Sequence, residues 1–324
     1  MRISKSARRA GDGMSAPRAG RRRFAGWALG AAMGTALSTP LTAAWAAGAA
    51  APGSTAPQDP LLRACAVLEA RLQARVGLYL LDTGTGQQWR YRPHERFPLN
   101  STFKLLACAA LLARADAGAV RLDQTVTILA RDVVEYSPVT LTQVGRSGMS
   151  LAALCAAAMT MSDNTAANLI LKVIGGPAGL TRFMRNIGDA FTRLDRYETA
   201  LNQGTPGDPR DTTTPESMAH SLHKLAFGNV LQPASRLQLQ TWMLGNQVSE
   251  NLLRAGLPPG WRVGDRTGAG GFGSRGIAAV LWPPGRYPLV AAIYLTETSA
   301  ALVQRDAAIA ELGRVIAALY SRRP

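Results

Sequence analysis

The chain has 324 residues, 47% hydrophobic and 18% charged, with three cysteines and a formal net charge of +15, the proportions of a globular protein with a sizeable core. Residues 1–46 carry eight Lys/Arg against Asp12, a net of +7, so about +8 remains beyond them as scattered arginine, with Arg322-Arg323 the one basic run. That distribution excludes a nucleic-acid binder, which needs a basic stripe or a recognisable module, while a basic surface helps attract anionic substrates.

Residues 1–46 have the order of an export signal: basic Arg21-Arg22-Arg23-Phe24, an apolar stretch from Ala25 to about Leu37, then small residues around Ala44-Trp45-Ala46. The apolar stretch is too short and too rich in Gly and Ala for a stable membrane span, so the protein is expected in the periplasm. Arg-Arg-x-Phe reads as a twin-arginine signal, with an ordinary secretory signal as the alternative. Residues 47–59, rich in Ala, Gly, Pro and Ser, read as a flexible mature N-terminus, and residues 60–324 as the folded catalytic domain.

Within that domain, helical apolar spacing runs from Leu61 to about Arg75. Strand-like runs come next at Val76–Asp82 and Gln88–Tyr91, joined by the turn Thr83-Gly84-Thr85-Gly86. From Ser101 to about Gly256 the pattern is mainly helical, at 101–117, 151–160, 164–174, 215–227 and 235–247. Strands return at Arg262–Asp265, Gly276–Trp282 and Leu289–Leu295, and a last helix spans about Ala300–Tyr320. This order predicts an α/β (α+β) fold with a mixed, mainly antiparallel sheet built from both chain ends, 60–100 and 257–324. The terminal helices cover the sheet, a mostly helical lobe (101–256) is inserted, and the site lies in the cleft between the lobes.

Four short motifs stand in order along the chain. Ser101-Thr102-Phe103-Lys104 puts a hydroxyl and an amine one helical turn apart at a helix start, where Lys104 can reach the hydroxyl and the helix dipole favours negative charge. A serine hydroxyl needs such a neighbouring base to act as a nucleophile. On its own the motif also fits a capping Ser with a surface Lys, but Phe103, Leu105 and Leu106 surround that charge with apolar side chains. Ser162-Asp163-Asn164 opens another helix, with capping as its plain reading. Glu198 lies in a polar loop with Asn202 four residues on, and Arg266-Thr267-Gly268-Ala269 reads as an edge strand beside the cleft.

Together these motifs resemble the S-x-x-K, S-D-N and K-T-G set of the class A serine β-lactamases, over a stretch from about Leu61 to the C-terminus. The resemblance implies the β-lactamase/penicillin-binding transpeptidase-like fold and hydrolysis of penicillins through an acyl-enzyme on Ser101, with Lys104, Ser162, Glu198 and Asn202 as the other catalytic residues. By the same likeness Ser162 relays a proton to the leaving ring nitrogen, and Asn164 donates to the substrate's amide side chain. Glu198 with Asn202 holds the deacylating water. Penicillin-binding peptidases lack that Glu, which separates the lactamase from its nearest rival. Thr267, Gly268 and Ala269 would flank the acyl group, Tyr136 would wall the cleft mouth, and the Arg196–Asp211 pair would pin the loop base. Arg266 stands where most members carry Lys; the carbenicillin-hydrolysing branch has Arg there, and Arg275 matches its second carboxylate-binding arginine. Cys108 and Cys155 match a pair bonded in many members. No cofactor or metal is implied, and the expected partner is a small β-lactam met by a monomer.

Two other patterns carry less. Gly268-Ala269-Gly270-Gly271-Phe272-Gly273 satisfies the dinucleotide fingerprint, but Gly276–Trp282 after it reads as a strand where a helix is required. His94, His220 and His223 form no zinc-ligand set, and Cys65 is left unpaired. A non-catalytic penicillin- or muropeptide-binding module is the reading from another class.

Overall fold

The structure, a computed structural model, describes residues 59–321; the expected export signal and residues 47–58 of the expected mature N-terminus lie outside them. Helix α1 (Pro60–Leu72) starts where the Asp59 carboxylate accepts from Leu61 and Leu62 N–H, and stops where Gln73 turns left-handed, so Arg75 opens strand β1 (Arg75–Asp82) instead of ending the helix. Strand β2 (Gln88–Tyr91), short β3 (Phe97–Pro98) and a 3₁₀ turn (Asn100–Thr102) lead into helix α2 (Phe103–Asp116). Short β4 (Thr125–Val126) and β5 (Met149–Ser150) pair with each other before helices α3 (Leu151–Thr160), α4 (Asn164–Ile174) and α5 (Gly176–Asn186). Short β6 (Thr212–Thr213) pairs with β3 ahead of α6 (Pro215–Phe227) and α7 (Pro233–Leu244). Strands β7 (Arg262–Ala269), β8 (Arg275–Trp282) and β9 (Leu289–Thr296) and helix α8 (Leu302–Ser321) finish the chain.

The main sheet has the order β2-β1-β9-β8-β7, every neighbouring pair antiparallel. It joins the two ends of the chain as the sequence predicts, with Val76 opposite Leu295. The period-two alternation of strand side chains divides the core. Leu78, Leu80, Ile277, Ala279 and Leu281 pack with residues of α1 and α8, whereas Tyr79, Ala278, Val280 and Tyr294 face the helical lobe. Helix α2 runs through that lobe with every residue from Phe103 to Leu112 buried, as an Ala/Leu-rich helix apolar on all sides must be. It delivers Ser101 and Lys104 to the cleft, opposite the edge strand β7.

Helix α5 is not foreseen from the sequence. Its Gly-Pro-x-Gly start resembles a turn, yet proline suits the first helical turn, and Gly175 at φ +93° ends α4 just before it. No helix among the described residues is long and apolar enough to cross a membrane.

Candidate active site

A cleft of about 480 Å³ runs between β7 and the helical lobe, lined by Ser101, Tyr136, Ser162, Asn164, Asn202, Arg266, Thr267, Gly268, Ala269 and Arg275, together with Glu135, Thr199, Val248 and Leu302. A second groove of about 400 Å³ touches Arg75, Arg96, Asp208 and Arg210, but it holds no nucleophile–base pair, and Arg75 and Arg210 are already paired with carboxylates. The chemistry is in the first.

Ser101 sits in the 3₁₀ turn that feeds α2, half-buried, and its hydroxyl donates to Glu198 Oε1 at 3.4 Å. Lys104, with no exposed surface, does not bond Ser101 as its helical spacing suggested. Its ammonium turns across to Glu198 Oε1 (3.1 Å), Asn164 Oδ1 (2.5 Å), the Ser162 carbonyl (2.8 Å) and Ser162 Oγ (3.3 Å). A buried carboxylate is a stronger partner for an ammonium than a neighbouring hydroxyl. Burial pulls the Lys104 pKa down to about 8, with Arg266 adding to the fall and Glu198 opposing it.

The Ser-Asp-Asn turn is held by Asp163, which caps α4 through Ala166 N–H and also accepts from Val139 N–H and both the N–H and hydroxyl of Thr140. This leaves Ser162 (φ +60°) and Asn164 facing the cleft. Asn164 Nδ2 donates to the Glu135 carbonyl at 2.8 Å, which leaves one amide hydrogen for a ligand.

Glu198 is buried. Its second oxygen accepts from Asn202 Nδ2 at 2.6 Å, and its backbone is clamped on both sides by the Asn168 amide, at 2.9 and 3.0 Å. Sequence reasoning missed Asn168; it lies one helical turn after Asn164 on α4, and that spacing was the available signal. Asn202 Oδ1 is buried without a partner among the described residues, an open acceptor next to the carboxylate. Asp211 accepts from Arg196 Nε at 2.5 Å and from Asp195 and Arg196 N–H at 2.8 and 2.9 Å, at the base of the Glu198 loop.

Strand β7 joins the two stretches read separately in the sequence, Arg262–Asp265 and the edge-strand run Arg266–Ala269, into one strand. A Cβ at Gly268 would come within 2.6 Å of Ser101 N, so this glycine lets the strand lie against the serine's amide. Arg266 is only 1% exposed and holds Ser162 Oγ, the Ser101 carbonyl (3.2 Å), the Met159 carbonyl (3.3 Å) and Asn246 Oδ1 (3.4 Å). All four acceptors are neutral. Beneath it the Asp265 carboxylate pairs with Arg254 at 3.2 Å, a buried layer with no local sequence signal. Burial lowers the Arg266 pKa to about 10. Arg275 lines the same cleft, with its Nε bound to the Asp306 carboxylate at 2.6 Å and its Nη1 to the Gly268 carbonyl at 3.2 Å. Tyr136, 55% exposed with φ +58°, stands at the cleft mouth.

The expected Cys108–Cys155 bond is not present. All three cysteines are free and buried, and the Cys108 thiol points at the Cys155 carbonyl oxygen at 3.9 Å. Burial, with Cys108 alongside, pushes the Cys155 thiol well up. His94 and His220 bond to Glu216 (2.8 Å) and the Tyr79 hydroxyl (2.8 Å), away from the cleft.

A family model described as the beta-lactamase enzyme family matches residues 61–320. Beta-lactamase CARB-3 of Pseudomonas aeruginosa is 50% identical over 254 residues, 78% of this chain and 88% of its own. Beta-lactamase AER-1 of Aeromonas hydrophila is 49% identical over 256 residues, 79% of this chain and 84% of its own. The solved structure of the class A beta-lactamase of the last common ancestor of Gram-negative bacteria superposes with a TM-score of 0.79 at 53% identity, covering 80% of this chain and 99% of that one.

Proposed function

The chain belongs to the β-lactamase enzyme family, and from that premise we propose that Ser101 is the nucleophile of its reaction and Glu198 the base that completes it. It is a class A serine hydrolase that opens the β-lactam ring of penicillins and so gives resistance to them.

In the acylation half, Ser101 Oγ adds to the lactam carbonyl carbon while its proton passes to Glu198, its hydrogen-bonded partner. Lys104 is placed differently: its ammonium is held by Glu198, Asn164 and Ser162, while the Ser101 hydroxyl points at Glu198. The backbone N–H groups of Ser101 and Ala269 hold the oxyanion; losing one such donor typically costs about 3–4 kcal/mol of barrier. The proton then moves on through Lys104 and Ser162, along contacts of 3.1 and 3.3 Å, and reaches the ring nitrogen as the carbon–nitrogen bond breaks. Glu198 is left charged again.

For deacylation, a water between Glu198 and the open acceptor of Asn202 gives its proton to Glu198 and adds to the ester carbonyl. The intermediate collapses, Ser101 leaves with the proton from Glu198, and penicilloate is released. The contact set of Glu198 carries this reading: one buried carboxylate touches the nucleophile, the ammonium and the water-binding amide.

Arg266 supports carboxypenicillins as substrates, since its charge is bonded only to neutral groups whereas Lys104 and Arg275 have carboxylates. In this reading the protein is exported to the periplasm, following the signal-like order of residues 1–46, and works as a monomer on a small β-lactam. Purified protein is expected to turn over nitrocefin, benzylpenicillin and carbenicillin many times per molecule. One stoichiometric burst without turnover would identify a penicillin-binding peptidase, and saturable binding of intact drug a non-catalytic module.

A further inference from the structure

Two features have no part in this chemistry: the glycine-rich run after the Arg-Thr-Gly strand, and Asn100, the residue before Ser101. The fold brings them together. Asn100 is fully buried and holds φ +43°, a left-handed backbone that asparagine tolerates better than most residues with a side chain. Its Nδ2 donates to Ser274 Oγ at 3.0 Å, in the turn from β7 to β8. The same turn is tied to the loop that carries Glu198, because Gly271 N donates to the Asn202 carbonyl at 2.8 Å.

The glycines permit this approach. A Cβ on Gly270 would lie 2.3 Å from Asn100 Oδ1 and 2.6 Å from the Asn202 carbonyl, and one on Gly271 would lie 2.2 Å from the Gln203 carbonyl. The serine turn, the end of β7 and the Glu198 loop therefore meet at one junction, and the Asn100 amide is the side chain that reaches across it.

We propose that Asn100, acting through Ser274, is a positioning residue for β-lactam hydrolysis. It fixes the Ser101 turn against β7, so that the backbone N–H groups of Ser101 and Ala269 keep the spacing an oxyanion requires. The proposal rests on the reading of Ser101 as nucleophile. A second observation supports it. Asn100 Oδ1 is buried with no donor among the described residues, a cost that an apolar side chain would avoid. A chain that keeps a costly amide beside its nucleophile gives up stability where local order serves function.

Asn100→Gly tests this without backbone strain, because it keeps the left-handed conformation while deleting the side chain that carries the amide. Ser274→Ala removes the acceptor from the other side, and Ser274→Thr keeps the hydroxyl. With benzylpenicillin, Asn100→Gly and Ser274→Ala are each expected to lower kcat and kcat/KM together by about tenfold with KM within about twofold, the pattern of an interaction used in the transition state. The double variant should be no slower than either single, and Ser274→Thr should stay near wild type. Unchanged kcat in both singles alongside a lower Tm, or losses that add in the double variant, would overturn the proposal and leave a structural contact only. A wild-type protein inert toward penicillins would sink the functional reading itself, and this proposal with it.

Discussion

Glu198→Gln removes one charge and almost no volume, and the surroundings of that carboxylate decide how much the reaction and the fold each lose. Glu198 meets Ser101 Oγ at 3.4 Å, Lys104 Nζ at 3.1 Å and Asn202 Nδ2 at 2.6 Å. The other carboxylate among the described cleft residues is Glu135, exposed on the rim. With no substitute base, the whole of general-base catalysis is lost in deacylation, about 10²–10⁴-fold. At 1.36 kcal/mol per factor of ten this raises the barrier by about 3–5 kcal/mol. The fold should lose much less. Stranding a buried ammonium costs about 3–5 kcal/mol when it stays charged. Lys104 can shed its proton instead: from a pKa of about 8, doing so at pH 7 costs about 1.4 kcal/mol, and less once the attraction of Glu198 has gone. Tm should therefore fall by no more than about 5 °C. A neutral Lys104 can also accept the Ser101 proton, so acylation persists and speeds up as pH rises through its lowered pKa. Mass spectrometry after mixing with benzylpenicillin should show a long-lived penicilloyl adduct on Ser101. Turnover within tenfold of wild type, with no adduct, would remove Glu198 from the mechanism.

Asp211→Asn keeps the left-handed backbone but takes the charge from the Arg196 pair, so urea unfolding should show a loss of about 1.5–3 kcal/mol, and unchanged stability would mean that the pair does not hold the loop. Lys104 binds its proton less tightly folded, at a pKa of about 8, than unfolded at 10.5. Its contribution to stability is therefore least favourable below pH 8 and rises as pH climbs from about 8 to about 10.5. Unfolding midpoints of Lys104→Met should lack that rise, and parallel curves for variant and wild type would refute the assignment. Arg266→Lys exchanges a four-partner guanidinium for one compact charge. It should reduce kcat/KM about five- to thirtyfold more for carbenicillin than for benzylpenicillin. Equal losses would mean that Arg266 reads only the ring carboxylate common to both.

The cleft residues were legible where chemistry fixes residue type at short spacing. The sequence places Ser101 and Lys104 one turn apart, Ser162 and Asn164 at a helix start, and Glu198 four residues before Asn202. Partner choice across the fold was not legible. Lys104 lies close to Ser101 along its helix, yet Glu198 arrives from a loop far along the chain and takes the ammonium. The Asp306 partner of Arg275 belongs to the last helix, and no spacing in the sequence links the two. The layer of Asn246, Asp265 and Arg254 beneath Arg266 has no local pattern at all. Strand ends and α5 were blurred because Gly and Pro mark turns and helix caps alike.

The pairing of β1 with β9 also sets the order in which this molecule can come into being. Ser101 and Lys104 leave the ribosome early, but the strand they face, with Arg266 and Ala269, leaves near the end, and β1 has no partner on that side until β9 is made. A partly made chain thus carries its nucleophile without the Ala269 half of its oxyanion hole, and a sheet edge open to other chains. Pairing between distant segments is slow to form, so the precursor stays unfinished until synthesis is complete. A stop codon within the last two strands would not yield a weaker enzyme; it would yield a chain whose sheet is cut between β1 and β7, with no strand to join its two ends.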